Sequence, residues 1–409
     1  MDTKLKIGYI LYNERPQSGL VKSQVISLLR ELAKEANYEI TIIFFFQPWI
    51  HFKYKDDIRE MKIMLSALQL RYKICYFSFP ERHLFNRIWG VRLVKILMIP
   101  LFKLLTREYK VLHCRGYFAS YLASKIKTDR FKLVFDGRSL YPEENITRDM
   151  WKLNSKIFLE WKRIENLILN KADAVIGVSK PMVEKYREIN PTKAISYIPC
   201  CVDTNLLTFD VPLREAIRKK YGWTDKIVFS YVGSIGINHW NNINQYAKFF
   251  EQVISSGINA HLLIITKDNR ILIEETLRSR GIKPESLSII EASSTEMKGW
   301  LSASDFGLQL MTKTADYETR LGVKFVEYLS VGLPVIVNVF AGAAARLVRE
   351  NNLGLLWDET EKILQEKISS LLSDSEHLRE QCMTYAQENF DVKKCSFAYR
   401  KIYHDLLGL

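Results

Sequence analysis

Short apolar runs alternate with longer amphipathic stretches along this chain, and they do so in two successive series. In the first series, Leu5–Tyr12 and residues 38–46, 110–114, 132–136 and 173–178 read as strands. Residues 18–34 carry Val21, Val25, Leu28, Leu29 and Leu32 at helical spacing, and 151–170 repeats the pattern. A second series begins near Lys226, with strands at 226–233, 261–266, 306–311, 334–339 and Gly354–Trp357. Helical patterns at 242–256 and 271–281 separate its first members. Strands that are apolar on both faces and alternate with helices demand a parallel sheet covered on both sides. The sequence therefore predicts an α/β chain of two doubly wound halves.

At 409 residues the chain is long enough for two domains of roughly 150 to 200 residues. Residues 199–214, rich in turn and irregular positions, are the candidate boundary. The tail carries helical patterns at 377–387 and Val392–Leu407, and the last is free to pack back on the first domain. Lys and Arg outnumber Asp and Glu by 59 to 46, a net charge of +13. Six cysteines without a C-x-x-C make no disulfide framework, which fits a reducing cytosolic compartment. The first ten residues read as a strand rather than a leader. The most apolar stretch, 84–105, is interrupted by Arg87, Arg92, Lys95 and Lys103, so no membrane span is expected.

Several chemistries lack their sequence signs. There is no G-x-x-x-x-G-K-[ST] loop, no G-x-G-x-x-G after the first strand, no H-E-x-x-H and no G-x-S-x-G. No D-x-D and no cysteine–histidine spacing offers a metal site, so neither metal nor cofactor is expected. Positive charge alone, without a binding motif, does not support a nucleic-acid partner.

The strongest local signal is RLGVKFVEYLSVGLPVIVN, residues 320–338. It reads as a loop, a helix opening at Gly322, a stop at Gly332 and a strand from Pro334. Lys324 and Glu327, three apart, share one helical face. A helix N-terminus at the carboxyl edge of a parallel sheet offers free N–H groups to an anion. Arg320 and Lys324 add the charge that suits a diphosphate, and Glu327 suits a ribose diol. A plain surface ion pair is the competing reading of Lys324 and Glu327.

KFVEYLSVGLPVIVN resembles the signature helix of the family 4 retaining glycosyltransferases of the GT-B fold. SGLVKSQVISLLREL, LHCRGYFASYLA, WKRIENLILNKADAVIGVSKPM, YIPCCVDTNLLTF, KIVFSYVGSIG and NFDVKKCSFAYRKIYHDLL resemble further segments of that family, in the same order along nearly the whole chain. The resemblance implies an acceptor-binding Rossmann-like domain over 1–203, facing across a cleft a nucleotide-sugar-binding domain over 204–388. A C-terminal helix over 389–409 would return to the first domain. It also implies transfer with retention and without a metal. Carried over position by position, Glu327 is the second glutamate of the family's E-x7-E and holds the ribose. Lys324 reaches the phosphates, Gly19 lies in the glycine loop that approaches them from the first domain, and Ser234 lies in the loop facing the diphosphate.

The sequence departs from that pattern in three places. Thr319 stands where the first glutamate belongs, with Glu318 beside it. VGSIGINHWNN lacks the family's arginine and lysine, which leaves Arg320 and Lys324 to supply the charge. The acceptor-domain histidine is replaced in LVFDGRS by Asp136, followed by Arg138. The resemblance implies that Asp136 orients or polarises a sugar hydroxyl and that Arg138 steadies a phosphate or a nearby acid; the bare sequence also permits a turn at Asp136-Gly137.

Residues 51–110 hold 13 Lys and Arg against 5 Asp and Glu. On one helix, Arg92, Lys95 and Lys103 would fall within an arc of about 80°, with Pro100 as a possible kink. Residues 84–105 thus read either as an interfacial helix on an anionic membrane or as a helix packed on the sheet. Tyr72, Tyr76, Phe77, Phe79, Phe85 and Trp89 divide between the same two readings. The membrane reading implies a peripheral protein on the inner face of the cytoplasmic membrane. Its substrates would be a nucleotide sugar and a glycan or lipid-linked acceptor, in envelope polysaccharide or glycolipid assembly. Two alternatives stay open: a nucleotide-sugar epimerase using acids such as Glu143 and Glu144, and a non-catalytic scaffold subunit.

Overall fold

A computed structural model describes every residue except 1–3, 15–18, 20, 36, 77–87, 237–239 and 361–363, and the side chains of 88–96 also lie outside the described set. The chain forms two compact units, Met1–Cys201 with Val392–Leu409, and Val202–Asp391.

The first unit contains β1 (Leu5–Tyr12), β2 (Tyr38–Phe45), β3 (Arg71–Cys75), β4 (Val111–Arg115), β5 (Lys132–Gly137), β6 (Ala174–Gly177) and β7 (Ile195–Tyr197). They form one sheet in the order β3-β2-β1-β4-β5-β6-β7, parallel at every pairing. The second unit contains β8 (Ile227–Val232), β9 (Ala260–Ile265), β10 (Leu287–Ile290), β11 (Phe306–Gln309), β12 (Val335–Asn338) and β13 (Gly354–Trp357). Their order is β10-β9-β8-β11-β12-β13, again all parallel. The expected α/β architecture of two doubly wound sheets is present. Each central strand is buried on both faces, which is why its run is apolar without alternation.

Helix boundaries follow their caps. Residues 151–154 are not helical as the sequence suggested. Asn154 is left-handed (φ 60°), Ser155 is extended, and the Ser155 hydroxyl accepts from the Phe158 N–H to start the helix Lys156–Lys171. Trp151 instead packs in the core, its ring stacked 6.3 Å from that of Trp161. The presumed irregular stretch 199–214 contains the start of a helix, Val211–Tyr221, capped by Asp210 and ended by left-handed Gly222. β3 was not recognised in the sequence, because Arg71-Tyr-Lys-Ile-Cys alternates as an edge strand with one wet side.

The helix Ile88–Thr106 runs through Pro100 as one element. Met98, Phe102 and Thr106, four apart, are buried in the first unit, whereas Leu97, Lys103 and Leu104 are exposed. Packing on the sheet therefore accounts for one face of this helix. Arg92, Lys95, Phe77, Phe79, Phe85 and Trp89 lie outside the described residues or side chains, while Tyr72 and Tyr76 pack partly buried against the core. Among the described residues no helix is long and apolar enough to cross a membrane.

The last helix, Val392–Leu407, buries Val392, Cys395, Ser396, Tyr399 and Tyr403. It lies against the helix Ser27–Leu32 of the first unit, and Arg400 donates to the Glu31 carbonyl at 3.0 Å.

Gly332 ends the helix Val323–Ser330 in the left-handed region (φ 69°), and a Cβ there would lie 2.3 Å from Arg379 Cγ. Gly332→Ala combines backbone strain of about 1–2 kcal/mol with overpacking of about 1–3 kcal/mol. We expect it to lower the urea unfolding free energy of the second unit by about 3 kcal/mol in total.

Candidate functional site

In a parallel sheet all strands end on one edge, and in the first unit that edge collects charge. β4 and β5 pair with His113 opposite Val134 and Arg115 opposite Asp136. The two-residue period of a strand then puts His113, Arg115 and Asp136 on one face. Asp136 and His113 are fully buried. One Asp136 oxygen lies 3.3 Å from His113 Nε2, and the other accepts from Arg138 Nη1 at 3.2 Å. Arg138 also donates to the Cys200 thiol at 3.4 Å, and Arg115 donates to Glu14 at 2.8 Å. The phenol of Tyr403, from the last helix, lies 2.9 Å from His113 Nδ1. Tyr9 stacks on the same imidazole at 4.4 Å.

Burial alone would raise the Asp136 carboxyl. The Arg138 charge, the His113 hydrogen bond and Arg115 outweigh it and hold the carboxyl well below its ordinary value. Burial lowers His113, against the pull of Asp136, so the ring is neutral near pH 7. A neutral ring that donates from Nε2 to the carboxylate accepts at Nδ1 from Tyr403. Both Asp136 oxygens are thus taken up inside the unit, whereas 16% of the Arg138 side chain is exposed. Gly137 between them is needed for space, since a Cβ would sit 2.4 Å from the Tyr186 hydroxyl.

In the second unit the loop after β11 leads through a turn at Tyr317–Thr319 to the helix Val323–Ser330. Gly322 is its N-cap and contributes no side chain. A Cβ at Gly322 would lie 2.7 Å from Gln309 Oε1. Gln309 is buried, and neither of its amide atoms has a hydrogen-bond partner among the described residues. Lys324 and Glu327 form the ion pair that the sequence allowed, at 2.5 Å. Arg320 pairs with buried Asp316 at 2.6 Å and lies 5.0 Å from the centre of the Trp240 ring. Thr319 is buried and donates to the Asp316 carbonyl.

Ser234 is exposed in the loop after β8, and its carbonyl accepts from the Tyr231 phenol at 2.6 Å. That loop meets the Arg320 segment through Trp240, whose carbonyl accepts from the Thr312 N–H. Ser234, Arg320, Gly322, Lys324 and Glu327 therefore belong to one region of the second unit. Gly19, in the first unit, is exposed, and a Cβ there would meet nothing within 4 Å. Glu143 and Glu144 are held by cations, Glu143 by Lys162 at 3.0 Å and Glu144 by Arg148 at 2.6 Å. Among the described residues no three His, Cys, Asp or Glu side chains gather as a metal site.

Sequence reasoning missed His113, Arg115, Tyr403, Trp240 and Gln309. His113 and Arg115 stood in the quoted LHCRG, and their alternation opposite Asp136 was the available signal. Nothing local marked Tyr403, Trp240 or Gln309.

Residues 21–206 match the family model Glycosyltransferase Family 4, and residues 214–389 match glycosyl transferases group 1. The two matches together support a GT-B glycosyltransferase. Among solved structures, HepE of Anabaena in complex with UDP and glucose is 15% identical over 99% of this chain and 100% of its own, with a TM-score of 0.69. Sucrose-phosphate synthase of Thermosynechococcus elongatus is 15% identical over the same shares, with a TM-score of 0.70. WaaG, a glycosyltransferase involved in lipopolysaccharide biosynthesis, is 12% identical over 97% of this chain and 99% of its own, with a TM-score of 0.65. At these identities the likeness establishes the shared fold. No curated protein sequence matches the chain.

The buried imidazole has a consequence for stability. Unfolded His113 takes up a proton below its ordinary value of 6.5, and the folded ring resists it, so stability is lost as pH falls through that value. The depressed Asp136 adds a further loss below its ordinary 3.8. His113→Gln should flatten the change in unfolding free energy between about pH 7.5 and pH 5, measured by denaturant titration.

Proposed function

We propose that this protein is a retaining, metal-independent glycosyltransferase of family 4. It moves a sugar from a nucleoside diphosphate to a hydroxyl of a glycan or lipid-linked acceptor in envelope polysaccharide or glycolipid assembly. The observation that carries the reading is the start of the helix Val323–Ser330, where a glycine cap places no side chain over the first turn beside Lys324, Glu327 and Arg320. As the sugar bond breaks, negative charge grows on the leaving diphosphate. A helix N-terminus with two nearby cations stabilises that charge without reorganising.

In this reading residues 204–388 hold the donor. Glu327 takes the ribose diol and releases Lys324 to the phosphates, while Ser234 borders the diphosphate. Residues 1–203 take the acceptor, with Gly19 in a glycine loop of that unit and Arg138 steadying an anionic group. Asp136, being buried, acts by orienting Arg138. The acceptor hydroxyl attacks the face from which the diphosphate leaves. HepE, of the same fold, is seen with UDP and glucose, which makes uridine diphosphate sugars the first donors to try.

Thermal shift against a panel of nucleoside diphosphates and their sugars tests the donor site. A ligand at a hundredfold excess over its Kd stabilises by about 2.7 kcal/mol. We expect one diphosphate to raise the melting temperature and Lys324→Ala to abolish the rise. No shift with any of them moves the reading to a scaffold subunit.

The excess of Lys and Arg over residues 51–110, with Leu97 and Leu104 exposed on the same helix as Lys103, supports a membrane-surface acceptor. The lipopolysaccharide role of WaaG is consistent with that direction. The protein should float with anionic vesicles at low salt and be released at about 1 M salt, where charges are screened beyond about 3 Å. Absence of flotation at low salt rejects the membrane part of the proposal alone.

A further inference from the structure

We infer that Tyr403 and His113 are positioning residues for the transfer reaction, which together with Asp136 fix the guanidinium of Arg138. The inference rests on the glycosyltransferase reading for its activity test.

The chain of contacts has one arrangement. Tyr403 meets His113 Nδ1 at 2.9 Å, His113 Nε2 meets one Asp136 oxygen at 3.3 Å, and Arg138 meets the other at 3.2 Å. The Asp136 carboxylate can only accept, so Nε2 of the neutral ring carries the proton and Nδ1 is left to accept from the phenol. The ring plane is held independently by Tyr9 stacked at 4.4 Å and by Tyr399 at 5.5 Å. With each carboxylate oxygen committed to a different partner, Asp136 cannot rotate without breaking one contact. Its remaining partner is Arg138, whose second amino group is tied to Cys200.

Stability does not explain this arrangement. Three members are fully buried and polar or charged, and apolar side chains of similar size would hold such a core at least as well. What the chain does accomplish is to present one charged group, Arg138, at the carboxyl edge of the sheet in a fixed orientation. Tyr403 enters from the last helix, 290 residues away from His113 in sequence. That helix therefore supplies part of the site's support as well as covering the core.

The test is a double-mutant cycle in the full chain. Tyr403→Phe removes only the hydroxyl and keeps the ring. Turnover is followed with UDP-glucose first, then with the nucleotide sugar chosen by the thermal-shift panel. We expect Tyr403→Phe to lower kcat about tenfold with donor KM changed less than about twofold, and to add nothing in an Arg138→Ala background. Multiplying effects in the double variant, or an unchanged kcat with a lower melting temperature, would overturn the inference. Nitrogen NMR of the His113 ring and of the Arg138 side chain is the second readout. Tyr403→Phe should shift the His113 tautomer balance and speed Arg138 N–H exchange. If the wild-type chain turns over no nucleotide sugar, the functional reading fails and these signals decide alone, with unchanged spectra rejecting the positioning role.

Discussion

Every strand pair in both sheets is parallel, and most of what this chain places near its candidate sites follows from that constraint. A parallel pair cannot be closed by a hairpin. The chain must cross over, normally through a helix, before it can add the next strand. All strands of a sheet then end on the same edge, where the following helices begin. In the first unit this gathers Arg115, Asp136 and Arg138 at the ends of β4 and β5. In the second it gathers Ser234 after β8, Gln309 at the end of β11 and the Gly322-capped helix.

The two regions handle charge differently. In the first unit Asp136 is sealed in, and its negative charge is sustained by a buried histidine and an arginine. Both of its oxygens are taken up by these two neighbours. In the second unit Arg320 and Asp316 are as enclosed as Arg138 and Asp136, whereas Lys324 and Glu327 form a more open pair. The Lys324 side chain is 35% exposed, and its pairing with Glu327 is local to one helical turn. A pair of that kind contributes little to stability and separates at small cost when a ligand offers better partners to both.

The residues that depart from the resembled pattern also have physical partners in place. Thr319 fills a buried turn position and bonds back to Asp316, the residue that anchors Arg320. Arg320 in turn lies over Trp240. The positive charge that the loop after β8 lacks thus stands on the opposite segment, supported by an aromatic ring supplied by that loop. Gln309, buried beside the Gly322 cap, keeps its amide without a partner among the described residues.

Patterns of short range were legible in the amino-acid order. β1, β13 and the helix Val392–Leu407 were read with their observed limits, because their apolar periodicity is unbroken and their ends are marked. Lys324 with Glu327 was legible because neighbours three apart share one helical face, whereas Asp136 and Arg138 were singled out by the family resemblance and not by local geometry. The edge strands β3 and β10 were missed, since a strand with one wet side and few residues carries little periodicity. Only tertiary structure decided that Asp136 is buried, that His113 stands against it, and that Tyr403 completes the chain. Those contacts depend on which strand lies beside which and on where the last helix packs, and burial is a property of the assembled layers that no local pattern encodes.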